Sequence, residues 1–66
     1  MKIGIIGIGK LGLAFGLNLE KVGHEVFGVD KSKDYIEILN SGSFVSSEPG
    51  VNEALQKAAN FIFLHL

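Results

Sequence analysis

The chain has 66 residues, no cysteine, 47% hydrophobic residues and a formal net charge of −1. These values exclude a disulfide, a cysteine-based metal site and a cysteine nucleophile within the chain, and they leave no charge footprint for nucleic acid or an anionic membrane. A domain this small buries only about 60% of its unfolded surface, and no window approaches the roughly 20 apolar residues of a membrane span.

Lys2 to Ile8 is a short isoleucine-rich run without polar alternation, the pattern of a parallel strand buried on both faces. A secretory leader is not supported. Gly4, Gly7 and Gly9 interrupt the run and Lys10 ends it, so a cytoplasmic location is expected. Lys10 to Val22 reads as a helix with more than one apolar stripe, covered by the sheet and by neighbouring elements. Gly23 follows, where a left-handed residue closes a helix. Glu25 to Val29 is a second strand, ended by Asp30. Lys31 to Asn40 is a second helix, with Ser32 or Asp30 available as its cap and Gly42 as its stop. Ser43 to Ser47 is a loop. Pro49 suits the first turn of a third helix running to about Ala59. Phe61 to Leu66 is an apolar run expected to form a third buried strand. The order β-α-β-α-α-β implies parallel strands with right-handed crossovers.

Within the first βα unit, Gly7-Ile8-Gly9-Lys10-Leu11-Gly12 reads G-x-G-x-x-G. Alone the motif is weak. Here it follows a strand, opens a helix, and has an acidic residue, Asp30, downstream at the spacing a dinucleotide fingerprint requires. Gly7 permits the tight turn, Gly9 lets a pyrophosphate approach the backbone, and Gly12 lets the helix pack close on the strand. The phosphates then lie on free N–H groups at the helix N-terminus, with the amides of Ile8 to Leu11 as candidate donors. Asp30 can accept hydrogen bonds from both ribose hydroxyls, and its charge disfavours a 2′-phosphate, which selects NAD over NADP. The plainer reading is that the glycines only shape a βα turn. Lys10 is either a phosphate contact or a solvated side chain. Lys31 and Lys33 either attract a 2′-phosphate or begin a helix in solvent. Gly16, four residues after Gly12, marks close helix packing. His24 and His65 are far apart and lack ligand spacing, so neither a metal site nor a catalytic residue is expected in this chain.

These features together resemble the N-terminal NAD-binding domain of the UDP-glucose/GDP-mannose dehydrogenase family. The resemblance is carried by KIGIIGIGKLGL, GHEVFGVD, the helix ending ILNSG, and SEPGVNEAL. The first two blocks are shared with 6-phosphogluconate and 3-hydroxyisobutyrate-type dehydrogenases. Glu48-Pro49-Gly50, followed by an apolar residue and an amphipathic helix, is similar to the E-P-G-L segment of nucleotide-sugar dehydrogenases. Read locally, the same residues are a helix-initiating turn. The family has Tyr-Val where this chain has Lys10-Leu11, and Pro and Tyr near where it has Val45, Ser46 and Ser47.

The resemblance implies a partial Rossmann-type three-layer α/β fold of three parallel strands with crossover helices, a half-domain spanning 1–66. It implies NAD as cofactor, and oxidation of a UDP- or GDP-sugar alcohol to the uronic acid. The sugar itself would be met only through domains beyond this chain, which would be a truncated piece. In the family a strand similar to Phe61–Leu66 runs into a Thr-Pro turn near the nicotinamide. Other readings are a 6-phosphogluconate-type fragment or a small non-catalytic dinucleotide-binding module. The last strand pairs either beside the second strand, leaving the first as an open edge, or on the far side of the first. An exposed edge would favour self-association.

Overall fold

The computed structural model describes all 66 residues. Strand β1 spans Lys2–Ile6, helix α1 Lys10–Lys21, β2 Glu25–Asp30, α2 Lys33–Ser41, α3 Val51–Lys57 and β3 Phe61–His65. The strands form one parallel sheet in the order β1-β2-β3. The last strand therefore lies beside β2, and β1 is the open edge. In a doubly wound sheet the ligand crosses at the other side of β1. A strand bringing a turn to the nicotinamide would lie there, so β3 is not that strand.

Both crossovers advance in the same direction, so their helices fall on one face of the sheet. The core confirms it: Leu13 and Leu17 of α1, Ile36 and Leu39 of α2, and Val51 of α3 form one buried cluster with Ile8. This portion thus supplies two of the three layers of a Rossmann-type fold. The consequence is a one-sided sheet. Ile6 is 80% exposed, and Ile62 and Leu64 are also exposed. The expectation that the strands are buried on both faces fails for this reason. Helix α1 is likewise covered on one side only, with Leu11 and Phe15 exposed.

Boundaries move where glycine changes the backbone. Strand β1 ends at Ile6, because Gly7 adopts φ +85° and turns the chain out of the extended region. Helix α3 starts at Val51, two residues after Pro49, since Gly50 sits at its N-cap with φ +82°. Helix α2 starts at Lys33; the Ser32 hydroxyl caps it by accepting the Tyr35 N–H at 3.3 Å. Gly16 has the packing role expected of it: a Cβ there would lie 2.6 Å from Cζ of Phe61, whose ring stacks on Phe63 at 4.6 Å. Glu20 ties α1 to the start of β3, its Oε2 accepting the N–H groups of Ala59 and Asn60 at 3.2 and 3.3 Å. No helix is long and apolar enough to cross a membrane.

Candidate dinucleotide site

The glycine motif occupies the turn from β1 to α1. Gly7 donates its N–H to the Val29 carbonyl at 2.7 Å, so the turn starts while still bonded to β2. Gly12 stands one helical step in, and a Cβ there would lie 2.5 Å from the Gly7 carbonyl oxygen. No larger residue fits unless the turn and helix separate. At Gly9 a Cβ would meet nothing within 4 Å. That open space lies at the N-cap of α1, which has no side-chain cap. The first N–H groups of a helix have no intrahelical partner. Those of Gly9, Lys10, Leu11 and Gly12 take none from elsewhere in the chain. A cluster of free donors therefore faces a space that a side chain would otherwise fill, with the positive end of the helix dipole behind it. A pyrophosphate fits this cradle.

Ile8 differs from the expectation. Its N–H donates to Asp30 Oδ2 at 3.1 Å, so it is not a free phosphate donor. Its side chain is fully buried, packed above Gly28 of β2. The x of the motif thus belongs to the core, and the available amides start at Gly9.

Asp30 ends β2 beside the turn. Its Oδ1 accepts the Ser32 N–H at 2.9 Å while Oδ2 holds Ile8. These two hydrogen bonds, Ser32 first, together with nearby Lys31, hold its carboxyl below the ordinary aspartate value of 3.8. It is therefore ionised at neutral pH. Each carboxylate oxygen has a further lone pair, so both can still accept from a ribose diol. Lys31 and Lys33 are exposed.

Two residues not expected from the sequence enter the site. The Tyr35 hydroxyl donates to the Ile8 carbonyl at 2.6 Å, and burial, then the Asp30 charge, raise its pKa above the usual 10.0. Phe44 meets the Tyr35 ring edge-on at 5.7 Å. A cleft of about 310 Å³ runs between the glycine turn and the loop before α3, bounded by Gly9, Lys10, Tyr35, Phe44, Ser46 and Glu48. Lys10 Nζ reaches Glu48 Oε1 across it at 3.5 Å, between exposed side chains. That loop is fastened from inside, where Asn52 exchanges two hydrogen bonds with the Ser46 backbone at 2.8 and 2.9 Å. The histidines lie away from the turn. His24 is half-buried before β2, its Nδ1 without a partner. His65 ends β3 with Nε2 3.2 Å from the Lys31 carbonyl.

A parallel βαβ unit, a glycine turn with a free helix N-terminus, and an acid at the end of the second strand define the first half of a dinucleotide-binding α/β domain. Residues 1–65 match the family model described as the UDP-glucose/GDP-mannose dehydrogenase family, NAD binding domain, and the chain belongs to that family. The cofactor of the domain is NAD. This match decides between the two dehydrogenase types left open by the first two sequence blocks.

A GDP-mannose 6-dehydrogenase from Pseudomonas syringae pv. syringae is 44% identical over 57 residues, covering 86% of this chain and 13% of that protein. The fold superposes with a TM-score of 0.84 on a ternary complex of GDP-mannose dehydrogenase from Pseudomonas aeruginosa, at 35% identity over 96% of this chain and 15% of the other. The same score relates it to a UDP-glucose dehydrogenase from the archaeon Pyrobaculum islandicum, at 29% identity over 94% and 15%. The chain thus spans about one seventh of the length of these relatives.

Proposed function

We propose that this chain is the adenosine-side NAD platform of a nucleotide-sugar dehydrogenase, an enzyme that oxidises UDP-glucose or a related UDP- or GDP-sugar alcohol to the uronic acid. The observation that carries the reading is the convergence of free amides at Gly9, Lys10 and Leu11 with the ionised carboxylate of Asp30, in a chain of this family.

In this reading each residue has one task. Gly7 makes the turn, Gly9 leaves room for the pyrophosphate, and Gly12 sets the helix close to the strand. The Gly9, Lys10 and Leu11 amides donate to phosphate oxygens. Ile8 serves as the buried anchor of the turn. Asp30 accepts from the adenosine ribose and repels a 2′-phosphate, so NAD is preferred to NADP. Lys31 and Lys33 extend into solvent and do not reverse that choice. Bound NAD supplies a hydride acceptor, and the chain orients it without touching the reacting carbon.

The reading includes a cytoplasmic location and, for this chain by itself, self-association through the open β1 edge and the exposed sheet face. Its test is a titration of the protein with NADH and NADPH, followed by fluorescence, with Asp30→Ala beside it. NADH should bind more tightly than NADPH, and the substitution should weaken NADH. Equal affinity for the two cofactors, or unchanged NADH binding in Asp30→Ala, would refute the ribose assignment.

A further inference from the structure

The peptide between Ile8 and Gly9 is held from outside the motif. Tyr35, two helical residues into α2 and 27 positions away, donates its hydroxyl to the Ile8 carbonyl at 2.6 Å. No peptide in the chain is cis. In a planar trans peptide the carbonyl and the next N–H point in opposite directions. Fixing the Ile8 carbonyl toward Tyr35 therefore aims the Gly9 N–H away from it, out of the turn. Gly9 is the N-cap of α1, and its N–H is the first of the unpartnered donors. The preceding peptide is fixed as well, because Asp30 Oδ2 holds the Ile8 N–H at 3.1 Å.

Tyr35 is itself immobilised. Its N–H is bonded to the Ser32 cap at 3.3 Å and its ring meets Phe44 edge-on. The geometry points to Tyr35 as a positioning residue for phosphate binding: its hydroxyl sets the direction of the Gly9 amide through the Ile8 carbonyl. The assignment rests on the dinucleotide reading above. It goes beyond that reading in giving part of the phosphate site to a side chain of α2 that touches no phosphate.

The test is Tyr35→Phe in the intact protein, which removes the hydroxyl and keeps the ring against Phe44. Without the bond the Ile8–Gly9 peptide is free to reorient, and NADH affinity should fall about three- to tenfold, the worth of one hydrogen bond. Leu55→Ala is the control. Leu55 packs against the core from α3 and does not line the cleft beside the glycine turn, so its loss lowers the melting temperature but leaves the Tyr35 hydroxyl and its Phe44 contact in place, and NADH affinity should hold. Glycine-selective ¹⁵N labelling reads the amide directly: Tyr35→Phe should move the Gly9 resonance in the unliganded spectrum, and Leu55→Ala should leave it. A Tyr35→Phe affinity within about twofold of the parent, less than one hydrogen bond supplies, would overturn the assignment. So would an equal loss in Leu55→Ala, or an unmoved Gly9 amide. If the parent protein itself fails to bind NADH, the dinucleotide reading falls instead, and the two failures are distinguishable.

Discussion

Gly12→Ala sets two effects of opposite sign against each other. Gly12 lies in the first turn of α1, where alanine is favoured over glycine by up to about 1 kcal/mol. Against this, the new Cβ would stand 2.5 Å from the Gly7 carbonyl oxygen, where ordinary contact starts at 3.4 Å. About 0.9 Å must be found, and neither partner yields easily. Gly7 is bonded to Val29 at 2.7 Å, and α1 is fixed by Leu13 and Leu17 in the core. Overpacking against a well-packed site costs about 1–3 kcal/mol, and a backbone partner places this case at the upper end. The net loss should be about 1–2 kcal/mol. A domain of this size has only about 3–10 kcal/mol in total, and each kcal/mol moves its melting temperature by about 4–8 °C. Circular dichroism on heating, with urea midpoints as a second measure, should show a fall of about 4–16 °C. Gly9→Ala is the companion. It meets nothing within 4 Å and its φ of −65° suits any residue. Alanine is a poorer N-cap than glycine, so the variant should melt slightly below the parent, by less than Gly12→Ala, yet bind NADH more weakly, because its methyl would stand in the space proposed for the pyrophosphate. Gly12→Ala melting at or above the parent temperature would refute the close-approach argument.

Three further outcomes follow from the geometry. Asp30 has a pKa below 3.8 in the fold, so its contribution to stability is present above that value and is lost as pH falls through the lowered one. Asp30→Asn should flatten the loss of urea resistance as the pH falls below about 3.8, and superimposable acid curves would contradict this. Glu48→Gln breaks the Lys10 pair, which joins two exposed side chains at 3.5 Å. Such pairs contribute about 0–1 kcal/mol, so its urea midpoint should stay close to the parent's, and a large drop would mean the loop depends on that pair. Leu64→Lys places a charge on the exposed sheet face without opening the core. It should lower the sedimentation-average mass of the chain at micromolar concentration while preserving the melt, and an unchanged mass would remove that face from self-association.

The sequence specified the elements and the glycine turn well, because both are local. Six elements in the right order follow from apolar runs and punctuation. Ser32, Gly42 and Gly16 have the roles their positions suggest. The errors arise where long-range arrangement decides. Nothing local says which edge β3 joins, and this choice, with both crossovers turning one way, leaves Ile6, Ile62 and Leu64 in solvent. Pro49 signals a helix start, but the following glycine takes the left-handed region and delays it to Val51. Within the motif, Ile8 was legible as a donor only by its place in the turn. Its N–H goes to Asp30 because β1 and β2 are neighbours, with Ile6 opposite Val29. Tyr35 carried no signal at all, since a tyrosine on a half-buried helix face is ordinary until the sheet brings α2 beside the turn.

Asp30 performs two tasks with one carboxylate. In the proposed site it accepts from the ribose, and it is also a strut, holding Ile8 with one oxygen and Ser32 with the other. Reprogramming this domain for a phosphorylated ribose by exchange at position 30 would therefore alter more than charge. Asparagine would keep one acceptor oxygen and surrender a brace; arginine would surrender both, freeing the first peptide of the turn and the start of α2 together. A cofactor swap here calls for a second acceptor, installed elsewhere, before the first is withdrawn.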